Sequence, residues 1–211
     1  MPVCRIKNTE QLPSFWYSLF RLQAVVLIQR RKFVRAYAKE YGINEENIAV
    51  MGFSAGGILA GEMLLNFDGT VSPAVLDADY ALDWLDEIAA DTAADGMIYS
   101  FYGRLSVGTT DVELLCSGNP PPTFYGYGTR DPFYRQFLAN ADAAEEAGVP
   151  VMRLQLDGMP HGFGAQGGWI PIYAEWLENI FTGILPAGDR AVYLNGYDYV
   201  VLPGNWYHIP A

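Results

Sequence analysis

The sequence contains a serine whose neighbours suit nucleophilic chemistry. Ser54 is the centre of a G-x-S-x-G motif that begins at Gly52. Residues 48–51 form an apolar run that is typical of a buried strand, and residues 58–67 have the pattern of a helix. A strand that turns into a helix within a few residues needs small residues beside its apex, and we expect Gly52 and Gly56 to meet that need. The motif alone is short enough to arise by chance, but this strand-to-helix setting favours an exposed Ser54 hydroxyl.

The same turn predicts a place for a developing negative charge. The backbone N–H of Ala55 follows the serine directly, so we expect it to act as an oxyanion donor. We expect Gly56 to lie beside it in the oxyanion and substrate-binding region. The amino end of the predicted helix lies beneath both residues, and its partial positive charge favours an anion there.

A general base has to come from a short list, because the sequence holds only two histidines. His161 follows a predicted strand, residues 149–156, in a loop rich in glycine and proline. A single histidine is more often structural than catalytic. The carboxyl ends of parallel strands converge on one crevice, however, and this placement favours a base that faces Ser54. His208 lies in the aromatic carboxyl-terminal segment and is interpreted as a surface or packing residue.

A carboxylate between Ser54 and His161 in the chain is the natural candidate for the group that orients the base. Asp131 fits, because it follows another predicted strand, residues 123–127, at the same edge. Asp157 is a competing carboxylate, although its position beside the histidine loop favours a turn former. Asp131 itself has an alternative role as a cap of the helix that starts near residue 132.

The chemistry needs all three groups together. A serine hydroxyl is a poor nucleophile until a base takes its proton, and a carboxylate must fix the tautomer of that base and stabilise its charge. Ser54, His161 and Asp131 would supply these parts, each from the end of its own strand. This combination favours nucleophilic catalysis over three unrelated structural residues.

The elements that must position these residues alternate along the chain. Strands are predicted at residues 48–51, 96–102, 123–127 and 149–156, and helices at residues 31–41, 58–67, 81–90, 133–147 and 170–181. Residues 22–28 suit either a strand or the start of a helix. The alternation predicts an α/β fold, a three-layer αβα sandwich with a mostly parallel sheet.

The carboxyl-terminal segment breaks this alternation. An Asn195-Gly196 pair lies between two aromatic and β-branched runs within residues 191–202, which predicts a β-hairpin. We therefore expect one domain at residues 1–185, followed by a hairpin tail at residues 186–211 that packs on the domain or on a partner chain.

Composition and charge limit the possible partners. A chain of 211 residues with 51% hydrophobic residues is long enough for one domain with a substantial core. Its formal charge of −11 argues against nucleic acid and anionic membranes as partners, because both need a basic face. A small neutral or cationic substrate fits better.

Sequence signals for targeting and for metal binding are also weak. The amino terminus has no continuous apolar segment of the signal-peptide type, and residues 22–28 are too short to span a bilayer, so we expect a soluble, cytoplasmic protein. No usual metal-ligand spacing is present among the two histidines, among the two cysteines (Cys4 and Cys116), or among the acids of residues 77–95. We expect neither a metal nor a cofactor.

Three segments carry a resemblance to a known family. Gly52-Phe-Ser-Ala-Gly-Gly57, Tyr127-Gly-Thr-Arg-Asp-Pro-Phe133 and Pro160-His-Gly-Phe163 resemble motifs of the α/β-hydrolase carboxylesterases, near the acetyl-xylan-esterase-like and hormone-sensitive-lipase-like branches. The resemblance covers roughly residues 31–182. It implies a serine carboxylesterase of short-chain acyl esters, including acetyl groups on sugars, with Ser54 as nucleophile, Asp131 as acid, His161 as base and Ala55 as oxyanion donor.

The chain also departs from this family. In the family the nucleophile strand is the fifth, and a His-Gly-Gly-type loop after the third strand supplies a second oxyanion donor. Only 47 residues precede Ile48, and they contain no His-Gly or Gly-Gly pair. We therefore expect an amino-terminally truncated hydrolase. Loss of one such donor typically lowers turnover by about 10²–10³-fold, so the alternative is a weak or inactive relic that only binds or has no independent function.

Missing strands would leave an open sheet edge beside apolar surface. Residues 15–28, the hairpin tail or a second copy of the chain could cover it. We expect a homodimer in which the aromatic tail takes part, because aromatic residues are enriched in interface cores. The alternative is a tail that folds back on its own chain.

Overall fold

The computed structural model describes most of the chain between residues 14 and 183. It describes the backbone of residues 14–24 and of four short strands between residues 193 and 209, and both backbone and side chains of residues 25–66, 74, 79–103, 115, 116, 118 and 120–183. The expectations about the side chains of residues 15–24, and about the aromatic and histidine side chains of the tail, lie outside the described residues.

Helices and strands alternate through the central part of the chain. The described helices are α1 (Ser14–Ala36), α2 (Ala55–Asn66), α3 (Tyr134–Glu146) and α4 (Trp169–Thr182), with a 3-10 turn at Trp84–Glu87. The described strands are β1 (Ala49–Phe53), β2 (Ala94–Ile98), β3 (Thr123–Gly128), β4 (Val151–Leu156), β5 (Tyr193–Leu194), β6 (Tyr197–Asp198), β7 (Val200–Leu202) and β8 (Trp206–Ile209).

One sheet organises the fold. Its strand order is β1-β2-β3-β4-β8-β7, and β1 to β4 run parallel in register with one another. Every residue of β2 and β3 is buried, as expected of parallel strands that are covered on both faces. The predicted α/β class with a mostly parallel sheet is confirmed.

Strand β3 shows how the layers are arranged, because successive side chains of a strand point to opposite faces. The Phe124 ring packs against Tyr173 and Trp176 of α4. On the other face, the Tyr125 hydroxyl donates a hydrogen bond to Asn140 of α3, and the Tyr127 ring stacks on Phe137 of the same helix. The sheet therefore lies between α4 on one face and α3 on the other.

Two helix predictions need correction. The helix predicted at residues 31–41 begins much earlier, at Ser14, and ends at Ala36. Beyond Ala36 the backbone tightens into turns: the Ala38 N–H donates to the Arg35 carbonyl, and Gly42 has a φ of +67°. The helix predicted at residues 81–90 is only the 3-10 turn, whose amino end is closed by a capping box from Asp83.

The carboxyl-terminal hairpin is present, and it is followed by a strand that the sequence did not predict. Strands β5 and β6, which flank Asn195-Gly196, pair antiparallel. Strand β8 then pairs parallel with β4 of the same chain and antiparallel with β7. The tail therefore extends the main sheet at the β4 edge.

At the opposite edge, β1 has a neighbour on one side only among the described strands. Met51 and Phe53 of this strand are each 39% exposed, which is high for large apolar side chains in a parallel sheet.

Within the described residues, no helix is both long and apolar enough to cross a membrane.

The homodimer stays a prediction, and the β1 edge is where we now expect the contact. An edge strand presents unpaired N–H and C=O groups that another chain can bind, and a charge on it blocks such pairing. Met51→Lys should therefore convert a dimer into a monomer in light scattering at micromolar concentration, whereas Ala139→Lys, on the exposed face of α3, should not. A wild-type protein that is already monomeric contradicts the prediction.

A buried carboxylate in β2 should make stability depend on pH. Asp95 is fully buried, and burial raises its pKa to about 7, although the Tyr102 hydroxyl, the Gly96 N–H and the nearby Arg31 charge act in the opposite direction. In the unfolded chain the pKa of this carboxyl lies near 3.8. Folding therefore favours the protonated form, and this contribution to stability is lost as the pH rises from about 4 to about 7.

Asp95→Asn removes this titration. Relative to the variant, the wild type should lose free energy of unfolding between pH 5 and pH 8, with a slope of at most about 1.4 kcal/mol per pH unit. Urea unfolding of both proteins at the two pH values gives the difference, in which the titrations of the other acids cancel. If the free energy of unfolding depends on pH equally in the two proteins, the prediction is wrong.

Candidate active site

The carboxyl ends of β1, β3 and β4 bring three sequence-predicted residues to one edge of the sheet. Ser54 follows β1 directly, Asp131 lies three residues beyond β3, and His161 lies five residues beyond β4. These strands are parallel, so their carboxyl ends lie on the same side. Ligands of open α/β sheets bind at this side.

Ser54 is the apex of a sharp turn between β1 and α2. Its φ is +49°, in the left-handed region that residues other than glycine rarely adopt. Its N–H donates to the Ile98 carbonyl of β2 at 3.1 Å, and its own carbonyl accepts from the Ser100 hydroxyl at 2.7 Å. The strained turn is therefore held by the end of the neighbouring strand.

The close approach in this turn involves Gly52 and Gly57. A Cβ on Gly52 would lie 2.3 Å from the Gly57 nitrogen, and a Cβ on Gly57 would lie 2.4 Å from the Ser100 hydroxyl oxygen. A Cβ on Gly56 would have no atom within 4 Å. The expectation that Gly56 supplies the necessary small size is therefore wrong, while the expectation for Gly52 holds.

Ala55 and Gly56 are the first two residues of α2. The first N–H groups of an α-helix have no acceptor within the helix, so both backbone donors are available at its amino end. This is the position that the sequence predicted for an oxyanion site, directly beside the Ser54 side chain.

Asp131 lies in the turn between β3 and α3, and its side chain is fully buried. One carboxylate oxygen, Oδ1, accepts the Phe133 N–H at 2.8 Å, while the other, Oδ2, lies 2.7 Å from Nδ1 of His161. The contact with the base is therefore present on one oxygen, while the other oxygen closes the turn that precedes α3. The N-cap of α3 is Phe133, and no side chain caps this helix, so the alternative that Asp131 is the helix cap is wrong.

The loops that carry the acid and the base are tied together. The Thr129 hydroxyl accepts the Gly158 N–H at 2.8 Å, and the Arg130 N–H donates to the Met159 carbonyl at 3.0 Å. Gly128 makes this approach possible, because a Cβ there would lie 2.1 Å from the Met159 oxygen. The position of the His161 loop is thus set by the end of β3.

The structure brings Ser54, His161 and Asp131 into one hydrogen-bonded line. Nε2 of His161 lies 2.8 Å from the Ser54 hydroxyl oxygen, and Nδ1 faces Asp131. Asp157, the competing carboxylate, instead accepts a hydrogen bond from Gln155. His208 lies in β8, where its backbone is in register with Gln155.

This line can activate a hydroxyl group. An ionised Asp131 only accepts hydrogen bonds, so Nδ1 of His161 must carry a proton. Nε2 is then the basic nitrogen, and it lies where it can take the Ser54 proton. The His161 side chain is 31% exposed, so a small molecule has access to the base.

Aromatic rings surround the base and border a groove. Tyr99 and Phe133 both pack edge-on to the imidazole, at centroid distances of 5.1 and 5.6 Å. A mostly apolar groove of about 520 Å³ lies beside Tyr99, lined also by Met51, Phe53, Gly164, Ala165, Trp169, Ile170 and Tyr173. Its walls suit a small apolar group.

Sequence reasoning missed Tyr99 and Ser100. The run at residues 96–102 was predicted as one strand, but β2 ends at Ile98. The two residues after it therefore reach the carboxyl edge, where they contact His161 and Ser54 respectively. A signal was available, since polar Ser100 interrupts the apolar run.

Among the described residues, no group of three His, Cys, Asp or Glu side chains could hold a metal ion.

Replacing Gly128 tests the link between the two loops. Gly128→Ala should destabilise the fold by about 1–3 kcal/mol, because its Cβ meets a backbone oxygen that can move only with the His161 loop. Gly126→Ala, in the same strand, is the matched control, since its Cβ makes contacts no closer than 3.4 Å. Urea unfolding measures both, and equal stability of the two variants is the contrary result.

Comparison with known proteins places the chain in a family. The sequence pattern of the alpha/beta hydrolase fold matches residues 23–165. No curated protein matches the chain significantly.

Solved structures of esterase 2 from Thermogutta terrifontis are similar to this chain. The apo form is 21% identical with a TM-score of 0.50, and 78% of this chain covers 66% of that one. The butyrate-bound form is 21% identical with a TM-score of 0.52 and coverages of 78% and 67%. The form phosphorylated by paraoxon is 22% identical, with a TM-score of 0.51 and coverages of 78% and 65%. The chain therefore spans about two thirds of the length of that esterase, and at this identity the likeness concerns the fold. The family match extends over more than half of the chain: the protein belongs to the alpha/beta hydrolase fold family.

Proposed function

We propose that this protein is a serine carboxylesterase that hydrolyses short-chain acyl esters. The observation that carries the proposal is the hydrogen-bonded line from Ser54 through His161 to Asp131. Its members have the residue types, the order along the chain and the distances that acyl transfer requires. Ser54 is the nucleophile, His161 the general base and Asp131 the acid that orients it.

Acylation begins when Oγ of Ser54 attacks the carbonyl carbon of the ester and its proton passes to Nε2 of His161. The carbonyl oxygen becomes an oxyanion. The imidazolium then gives its proton to the alkoxy oxygen as the carbon–oxygen bond breaks, so the alcohol leaves and an acyl-serine remains. Asp131 stabilises the imidazolium through the bond to Nδ1.

Water completes the cycle by the same steps. His161 takes a proton from water as the water oxygen attacks the acyl carbon, and it then gives that proton to Oγ of Ser54 as the bond between Oγ and the acyl carbon breaks. The products are a carboxylic acid and an alcohol, and no cofactor is consumed. The backbone N–H groups of Ala55 and Gly56 lie at the amino end of α2, where they would bind the oxyanion of both steps.

The substrate class rests on the groove and on the similar esterase. Structures of that esterase are described as propionate-bound and butyrate-bound, which supports a short acyl chain for this one. The apolar groove beside Tyr99 could hold the acyl group or a small alcohol group. Acetylated sugars are included on the strength of the motifs that resemble acetyl-xylan-esterase-like enzymes.

A second candidate is a hydrolase with little or no turnover. The supporting observation is the position of β1 at the edge of the described sheet, because this family supplies its second oxyanion donor from the side on which β1 has no described neighbour. With the donors of α2 alone, turnover would be lower by about 10²–10³-fold. The serine would still react with a strong electrophile.

Two measurements test the proposal. Ser54→Ala should lower turnover of p-nitrophenyl acetate by about 10³-fold or more, because the nucleophile is gone. Paraoxon, which phosphorylates the similar esterase, should add one diethyl phosphate to the wild type in mass spectrometry and none to the variant.

Ser100→Ala is the matched control, because its hydroxyl contacts the Ser54 carbonyl but no reacting atom. It should still react with paraoxon. Labelling without measurable turnover favours the second candidate, and unchanged turnover in Ser54→Ala removes Ser54 from the mechanism.

A further inference from the structure

Tyr99 has a strained backbone conformation. Its φ is +39°, and Ser54 is the other non-glycine residue with a positive φ in the described part of the chain. Such a backbone persists only where the surroundings hold it. The Tyr99 N–H donates to the Gly126 carbonyl at 2.6 Å, and its side chain is almost fully buried.

The strained conformation directs the Tyr99 ring at the base. Its centroid lies 5.1 Å from that of the His161 ring, with the two planes at 67°. The same ring packs at 4.7 Å against Phe163, two residues beyond the histidine, and at 5.6 Å against Phe53, directly before Ser54. Tyr99 is therefore wedged between the segments that carry the base and the nucleophile.

The hydrogen bonds of His161 do not hold its ring alone. They join Nδ1 to Asp131 and Nε2 to Ser54. Rotation about the Cβ–Cγ bond of His161 would move both ring nitrogens out of line with these partners, although Nε2 must stay aimed at the serine proton and then at the leaving group. Contacts with the faces and edges of the ring oppose this rotation in addition to the hydrogen bonds.

We propose that Tyr99 is a positioning residue that sets the tilt of the His161 imidazole. This inference rests on the proposed function, in which His161 is the base. The Phe133 ring, at 5.6 Å and 72° to the imidazole, supplies a second contact. The aromatic ring of Tyr99 makes these contacts, so the ring rather than the hydroxyl is the required part.

The variants separate the ring from the hydroxyl and from general packing. Tyr99→Phe keeps the ring, whereas Tyr99→Leu removes it at the same backbone position, with Tyr99→Met as a second variant should leucine prevent folding. Phe101→Leu is the matched control, because Phe101 is equally buried two residues away but packs on Phe137.

In turnover of p-nitrophenyl acetate, Tyr99→Leu should lower kcat by about 10–100-fold and change KM by less than about threefold, since a small misplacement of a catalytic group costs this much. Tyr99→Phe should stay within about threefold of the wild type. An equal loss of kcat in Tyr99→Leu and Phe101→Leu shows that packing alone is responsible and overturns the proposal, as does a Tyr99→Leu variant with unchanged kcat.

A second readout does not depend on turnover. The Nδ1 proton of His161, hydrogen-bonded to Asp131, should give a downfield proton NMR signal that His161→Gln lacks. The signal should persist in Tyr99→Phe and Phe101→Leu and be lost or shifted in Tyr99→Leu. An unchanged signal in Tyr99→Leu overturns the inference even in a protein without esterase activity. Failure of paraoxon to label Ser54 overturns the proposed function instead.

Discussion

The peptide group between Ile98 and Tyr99 is the part of the structure on which the candidate site depends. Its carbonyl accepts the N–H of Ser54, and its N–H donates to the Gly126 carbonyl of β3. One planar unit therefore fixes the end of β1 and the end of β3 relative to each other. It also joins the two non-glycine residues that have a positive φ in the described part of the chain, Ser54 and Tyr99. The pairing of β1, β2 and β3 therefore holds both strained conformations in place.

The site consists of two halves that are built separately. The turn around Ser54 is held by Ile98 at the end of β2 and by Ser100 just beyond it. The Asp131 and His161 loops are instead held by each other, through two hydrogen bonds and the close approach at Gly128. The halves meet through the hydrogen bond between Ser54 and His161 and through the ring of Tyr99. Their relative position therefore depends on the pairing of β2 with β3, which is buried along its whole length.

Local patterns along the sequence were enough to predict the α/β class and to choose residues that the fold then brings together. Ser54, Asp131 and His161 each follow an apolar run, and a parallel sheet places the ends of such runs on one side. What failed depended on contacts between distant segments. The end of β2 was missed because Phe101 and Tyr102 stay buried beyond the strand, so the apolar run outlasts the pairing. The need for a glycine at 57, and not at 56, arises from the positions of Ser100 and of the Gly52 carbonyl, both of which a Cβ on residue 57 would meet.

The position of β1 determines from which side the turn around Ser54 is supported. A nucleophile turn at the end of a central strand could be held from both sides, but among the described strands β1 pairs with β2 alone. Within the part of the chain that the structure describes, the hydrogen bonds that restrain Ser54 come from α2, from Ile98 and Ser100, and from His161. Displacement of β1 relative to β2 would move the nucleophile and the Tyr99 contact together. The geometry of the hydrogen-bonded line therefore depends on the pairing of β1 with β2 and on the packing of Phe53 against Tyr99 and Trp169.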